Sequence, residues 1–237
     1  MTNEMKEKLA HIRGAYMSVV EANMIAGKNV TVSSPNYVEA RRNQIQRIVE
    51  ELEIEMKEKT LKPAEGETTL VKDAAFYKQI LDDICDTFVT TAFLHHMENS
   101  ESNPQALQSI GITEGGNALA SGMTLADVIN GKLEFNDVDQ LLNDLISVMV
   151  RKNNYVDFIG GIEAVNSNNL SKFLKTTEED SLKIVEDSVL HYNKRGELCR
   201  YRENMGFYVI LRESDNKYMK PLNFVPVDLE PFVLVTS

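Results

Sequence analysis

Apolar side chains recur at helical spacing along most of the chain and give way to short alternating runs only near its end. Met5, Leu9, Ile12, Tyr16, Val19, Val20 and Met24 predict a helix over 5–26, with Gly27 as its stop. A loop over 28–36 follows. Ile45, Ile48, Val49, Leu52 and Met56 then predict a second helix of about 20 residues. Lys62-Pro63-Ala64-Glu65-Gly66-Glu67 breaks it, and a third helix runs from about 69 to 97, so the two form a hairpin.

Residues 98–135 are poorer in pattern. Asn99-Ser100-Glu101-Ser102-Asn103-Pro104 and Gly115-Gly116 read as loops, with a short helix from Thr124 to Asn130. Asn136 or Asp137 caps a helix through Val138, Leu141, Leu142, Leu145, Ile146 and Met149, and another covers about 155–165. Thr177-Glu178-Glu179-Asp180 has the look of a capping pattern for a helix through Leu182, Ile184, Val185 and Leu190, closed near Gly196.

From Leu198 the period shortens. Leu198–Tyr201, Gly206–Arg212 and Lys217–Lys220 predict short strands, with Ser214-Asp215-Asn216 as the tightest turn. The segment from Asn223 to Leu229 is apolar enough to pack back on the helices, although Pro226 argues against a strand there. The fold class expected is mostly α, with a helical core over 1–175 and a C-terminal α+β appendage over 176–237.

Two acidic clusters interrupt this amphipathic background: Glu50-Glu51-Leu52-Glu53-Ile54-Glu55 and Asp82-Asp83-Ile84-Cys85-Asp86. On a helix, positions four apart lie about 40° from each other and positions three apart about 60°. Glu51 and Glu55 therefore share a stripe, as do Asp83 and Asp86. If the hairpin packs antiparallel, the two pairs repel unless a divalent cation sits between them. Oxygen-only ligands select Mg²⁺, with Mn²⁺ as the alternative, over zinc. The competing reading is a solvated face, since Glu and Lys57 at helical spacing also keep a helix soluble. The aspartates are harder to explain that way. Ile80, Leu81, Ile84, Phe88, Ala92 and Phe93 put them beside a strongly apolar face.

Composition narrows the chemistry. The 237 residues are 43% hydrophobic and 26% charged, which suits a globular protein with a full core. No apolar run reaches the roughly 20 residues that span a bilayer, and the first residues lack the apolar stretch of a secretion signal. The expected compartment is the cytoplasm, with no membrane contact. Cys85 and Cys199 lie far apart and read as reduced core thiols. A formal net charge of −11 argues against nucleic acid as a partner, yet leaves room for a single nucleotide held by a metal and a few local cations.

The order of Ile48-Val49-Glu50-Glu51-Leu52-Glu53-Ile54-Glu55, then Asp83-Ile84-Cys85-Asp86, then Val165-Asn166-Ser167-Asn168-Asn169-Leu170-Ser171-Lys172-Phe173 resembles the all-α NTP pyrophosphohydrolases of the MazG-like and phosphoribosyl-ATP pyrophosphohydrolase-like superfamily. It is similar in particular to the branch common in phages and bacteria, where an Asn-Met-Ser-Lys-like motif follows the metal helices. Tyr208–Leu211, Asn216-Lys217, Lys220-Pro221 and the segment from Phe224 to Leu229 are similar to that branch's closing segment. The resemblance covers about 40–97 and 155–230. Residues 98–150 stand as an insertion without a counterpart.

That resemblance implies a helical bundle that hydrolyses a nucleoside or deoxynucleoside triphosphate to the monophosphate and pyrophosphate. It implies Mg²⁺ on Glu51, Glu55, Asp83 and Asp86, a proton acceptor at Glu51 or Glu50, nucleotide contacts from Asn169 and Lys172, and a homodimer or higher homo-oligomer. The glutamate motif departs from the usual pattern. A match starting at Glu51 leaves Leu52 where the second Glu stands, and one starting at Glu50 puts Ile54 third. The alternative is a catalytically silent descendant that binds nucleotide or protein.

Other candidates carry less. His95 and His96 diverge by about 100° on a helix and so do not share a metal, while His11 and His191 stand alone. Neither Gly115-Gly116 nor Gly160-Gly161 is followed by the Lys-Ser/Thr of a phosphate loop. Lys194-Arg195 and Arg200-Tyr201-Arg202 read as a solvated edge.

Overall fold

The computed structural model describes residues 2–27, 35–61, 72–99, 118–214 and 217–235; the side chains of 35–38, 40, 55–61, 99 and 118–119 lie outside that description. The chain is mostly helical with a small antiparallel sheet. Three long helices come first: α1 (Asn3–Ile25), α2 (Pro35–Leu61) and α3 (Ala74–Asn99). Short α4 (Ala118–Ser121) and α5 (Leu125–Ile129) lead to α6 (Val138–Val150) and α7 (Phe158–Leu170). Strand β1 (Leu174–Lys175), helix α8 (Ser181–Lys194) and strands β2 (Cys199–Asn204) and β3 (Phe207–Arg212) follow among the described residues, with a 3₁₀ turn at Glu230–Phe232.

One continuous core joins α1, α2, α3, α6 and α7 through Ile12, Tyr16, Ile45, Ile80, Ile84, Phe88, Leu141, Leu145 and Ile162, all essentially inaccessible. Helix α6, expected as part of an unmatched insertion, belongs to this core. It buries every residue from Asp144 to Val150. Asp137 caps it by accepting from the Gln140 amide at 2.7 Å, as its sequence position predicts. Thr124 and Asp127 likewise form a reciprocal capping box on α5.

Helix α7 is longer than the pattern predicts. Its glycine pair allows close approach: a Cβ on Gly161 would meet Leu81 Cδ1 of α3 at 2.8 Å. Gly160-Gly161 therefore serves packing. The Thr177–Asp180 segment precedes α8, but Asp180 makes no side-chain cap bond.

The sheet has the order β1-β3-β2, antiparallel throughout. Strand β1 is too short to show a period in sequence. Pairing of Asn204 with Phe207 leaves Met205-Gly206 as a two-residue hairpin turn, both at positive φ (51° and 77°). This turn falls within the stretch read as a gap between strands; residues 215–216 of the expected turn lie outside the described residues, as do 28–34, 62–71 and 100–117. The third predicted strand reduces to a bridge between Tyr218 and Leu211.

The sheet is fastened to the bundle at one end of α1, where Ala22, Ile25 and Ala26 pack against Phe173, Val209 and Leu211. Its other face carries α8 through Val185, Cys199 and Ile210. Both cysteines are buried and unpaired by disulfide. Arg202, read from sequence as a solvated edge, instead donates to the Ala26 carbonyl, and Asn204 donates to the Met24 and Ile25 carbonyls, so β2 caps the C-terminus of α1.

Beyond the sheet the tail returns across the bundle. Leu229 is buried and Val227 half-buried, whereas Val225 is 74% exposed, so the expected packing holds for only part of 223–229. The Asp157 amide donates to the Phe232 carbonyl, and the Leu234 amide to the Tyr155 carbonyl, both at 2.8 Å. No helix among the described residues is long and apolar enough to cross a membrane.

Candidate functional site

Helices α2 and α3 pack antiparallel. Arg42 near the start of α2 donates two bonds to Glu98 at the end of α3, at 2.9 and 3.0 Å. Counting equally inward from that pair brings residues 51–55 level with 85–89, the stretch that ends the aspartate cluster. The faces matter more than the level. Val49 and Leu52 are buried, which turns Glu50, Glu51 and Ile54 outward, where all three are exposed. Glu50 accepts from Gln46 one turn earlier. The side chain of Glu55 lies outside the described residues.

Asp83 is half-buried and accepts from Gln79 at 3.0 Å. Asp86 keeps contact with solvent, but burial and then Asp82, one turn before it, push its carboxyl above the usual range. Lys172 and Lys220 pull it back down. Asp82 is also raised by burial, against the pull of Lys78. Between these two aspartates the Cys85 thiol is pushed well up by burial and by both negative charges, which makes it a poor nucleophile.

The structure therefore brings Lys172, with Asn169 one turn before it, within charge range of Asp86 on α3. Lys172 lies just past the end of α7, where its ammonium donates to Asn169 Oδ1 at 2.5 Å. Burial and Lys220 push that ammonium down, Asp86 opposes, and Lys217 adds to the fall. Asn168 is occupied differently: its amide donates to the Val225 carbonyl and ties the tail to α7.

Two aromatic rings and a second lysine complete the cluster, and sequence reading assigned none of them to the site. Lys172 Nζ stands 5.6 Å from the Tyr218 ring centre and 5.7 Å from that of Phe224; Lys220 Nζ stands 4.8 Å from the Phe224 centre. The ammonium groups are thus at most about 10.5 Å apart. Like charges at that distance repel by about 1–2 kcal/mol at an effective dielectric of ~20. The only signal for Lys220 in sequence is the Lys220-Pro221 pair within the closing segment.

A groove of about 870 Å³ opens beside the ring of Phe224, lined also by Ser167, Asn168, Val225, Pro226 and Val227. Its size suits a nucleoside-sized ligand. No family model, no curated protein and no solved structure matches this chain.

The donor chemistry can be tested against Mg²⁺. Among the described residues no three His, Cys, Asp or Glu gather closely enough to hold a metal. A hard cation that arrives with a nucleotide needs less. Mg²⁺ commonly takes one or two carboxylates, with substrate phosphates and water filling the rest of its octahedron. Asp86 with its neighbours on α3, two lysines facing them, fits that pattern.

The histidines are structural. His95 is fully buried, its Nδ1 2.9 Å from the Tyr16 hydroxyl and its Nε2 3.5 Å from Asp139. His96 sits edge-on to the same tyrosine ring. His11, isolated in sequence, pairs with Glu163 at 2.5 Å across α1 and α7.

Proposed function

We propose that this protein hydrolyses a nucleoside or deoxynucleoside triphosphate to the monophosphate and pyrophosphate, on a helical bundle of the all-α NTP pyrophosphohydrolase type. The observation that supports the reading is the hydrogen-bonded pair of Lys172 and Asn169 lying within charge range of Asp86, since the resemblance links the segments that bear them. Asp83 and Asp86 would hold the Mg²⁺ from α3, with Glu51 and Glu55 the ligands that the resemblance would add from α2. Mn²⁺ is the alternative ion. When bound, the ion supplies charge neutralisation at the phosphate oxygens.

Lys172 supplies a point charge to the phosphate chain, and Asn169 fixes the ammonium in place. Glu51, open to water, with Glu50 beside it, takes the proton of the attacking water. The groove beside Phe224 takes the base and sugar. The reading includes a homodimer, to which the exposed Met17 and Met24 of α1 are open, and a cytoplasmic protein that does not bind nucleic acid.

The test is pyrophosphate release from a panel of NTPs and dNTPs with Mg²⁺. Asp83→Asn and Asp86→Asn are expected to lower it by 100-fold or more; equal release from variant and wild type overturns the reading. A second reading, nucleotide binding without hydrolysis, is favoured by Leu52, buried where the resemblance calls for an acid, and by the outward Glu50 and Glu51. It predicts thermal stabilisation by Mg²⁺ with nucleotide and no pyrophosphate.

A further inference from the structure

The geometry points to a polyphosphate cradle in which Lys172 and Lys220, set around the ring of Phe224, grip two successive phosphates. The inference deepens the reading above, because it names what this end of the bundle recognises: a chain of at least two phosphates, with or without a nucleoside attached.

Three observations converge. Two ammonium groups share one aromatic ring, at 5.7 and 4.8 Å from its centre, so one side chain neighbours both. A ring attracts each cation but does nothing to cancel their mutual repulsion, which an anion bridging them would remove. A single phosphate suits one lysine; a diphosphate unit can engage two cations that lie no more than about 10.5 Å apart.

The segment that bears Lys220 is also fixed from its other side. The Lys220 carbonyl accepts from the Tyr192 hydroxyl at 2.9 Å, the Leu222 amide donates to Ser188 Oγ at 2.9 Å, and the Phe224 amide donates to the Pro221 carbonyl at 3.0 Å. Upstream, the Met219 amide donates to the Ile210 carbonyl at 2.8 Å. Helix α8 and the sheet thus hold the backbone, and the Lys220 side chain, exposed and free of any backbone task, is left to meet a ligand. Lys172 is fixed independently by Asn169. Such preorganisation lowers the entropy lost on binding.

The experiment measures tripolyphosphate, pyrophosphate and orthophosphate binding by calorimetry in EDTA, so that neither hydrolysis nor metal is read. Wild type is expected to bind tripolyphosphate and pyrophosphate at least tenfold more tightly than orthophosphate. Lys220→Met is expected to weaken tripolyphosphate binding about tenfold with an unchanged melting temperature, and Phe224→Leu to weaken it less. Lys183→Met, an exposed lysine on α8, should bind as wild type does. Equal affinity of Lys220→Met and wild type overturns the cradle, as does equal loss from Lys183→Met or no binding by wild type. Lys220-dependent binding alongside absent pyrophosphate release leaves the cradle standing and removes the hydrolase; release that ignores Lys220→Met does the reverse.

Discussion

The Arg202 guanidinium reaches the Ala26 carbonyl at 2.6 Å through the space that a side chain at position 27 would fill: a Cβ on Gly27 would lie 1.6 Å from Arg202 Nη2. Gly27 also has φ +61°, which L side chains rarely adopt.

Gly27→Ala therefore carries two penalties. A left-handed residue costs about 1–2 kcal/mol, and displacing a charged hydrogen bond costs about 1.5–3 kcal/mol. Urea unfolding should show a loss of about 2.5–5 kcal/mol. In an Arg202→Ala background the same substitution should cost markedly less, because the bond is already gone.

The hairpin offers the opposite sign. Met205 is the one non-glycine at positive φ among the described residues, at the first position of a turn that favours Asn-Gly. Met205→Asn should raise stability by about 0.5–1 kcal/mol, read as a higher melting temperature with an unchanged circular dichroism spectrum.

Stability should also fall in mild acid. Burial holds His95 below its ordinary value, with Asp139 opposing and His96 adding to the fall; His96 is lowered by its own burial. The folded state then binds fewer protons than the unfolded chain. Stability is full above the unfolded histidine value of about 6.5 and is lost as pH drops through the interval below it. Urea midpoints at pH 7.5 and 5.5 should differ in that direction. His95→Gln should flatten the slope without abolishing it, since His96 remains.

The aspartate pair makes a prediction for activity. Burial and Asp82 raise Asp86, so the group that must be ionised to hold a cation protonates at a higher pH than an ordinary aspartate. Pyrophosphate release should fall on the acid side, and Asp82→Asn should shift that limb to lower pH by removing the repulsion. A limb that stays in place would show that Asp86 does not control it.

Helix α1 and a cap at Asn136 or Asp137 are legible because their signals are local: apolar spacing, a stop glycine, a side chain bonding its own first turn. Helix α6 was equally legible as a helix, yet its place in the core was not, since burial depends on what α3 presents to it. The acidic clusters show the same divide. Their helices follow from sequence, whereas the level at which they pack follows from the Arg42–Glu98 pair and the outward face of Glu51 from Leu52 and Val49 packing inward. Lys220 and Phe224 join Lys172 only through the fold of the sheet and tail, contacts no spacing in sequence encodes. Arg202 was misread for that reason too.

The two backbone bonds between 155–157 and 232–234 lie downstream of Lys220 and Phe224 on the same uninterrupted stretch. A proteolytic nick between Asn223 and Asp228 would leave the bundle's interior intact and slacken the stretch from one side. Such a clipped protein should melt almost normally while losing its hold on ligand, a tether cut instead of a scaffold collapsed.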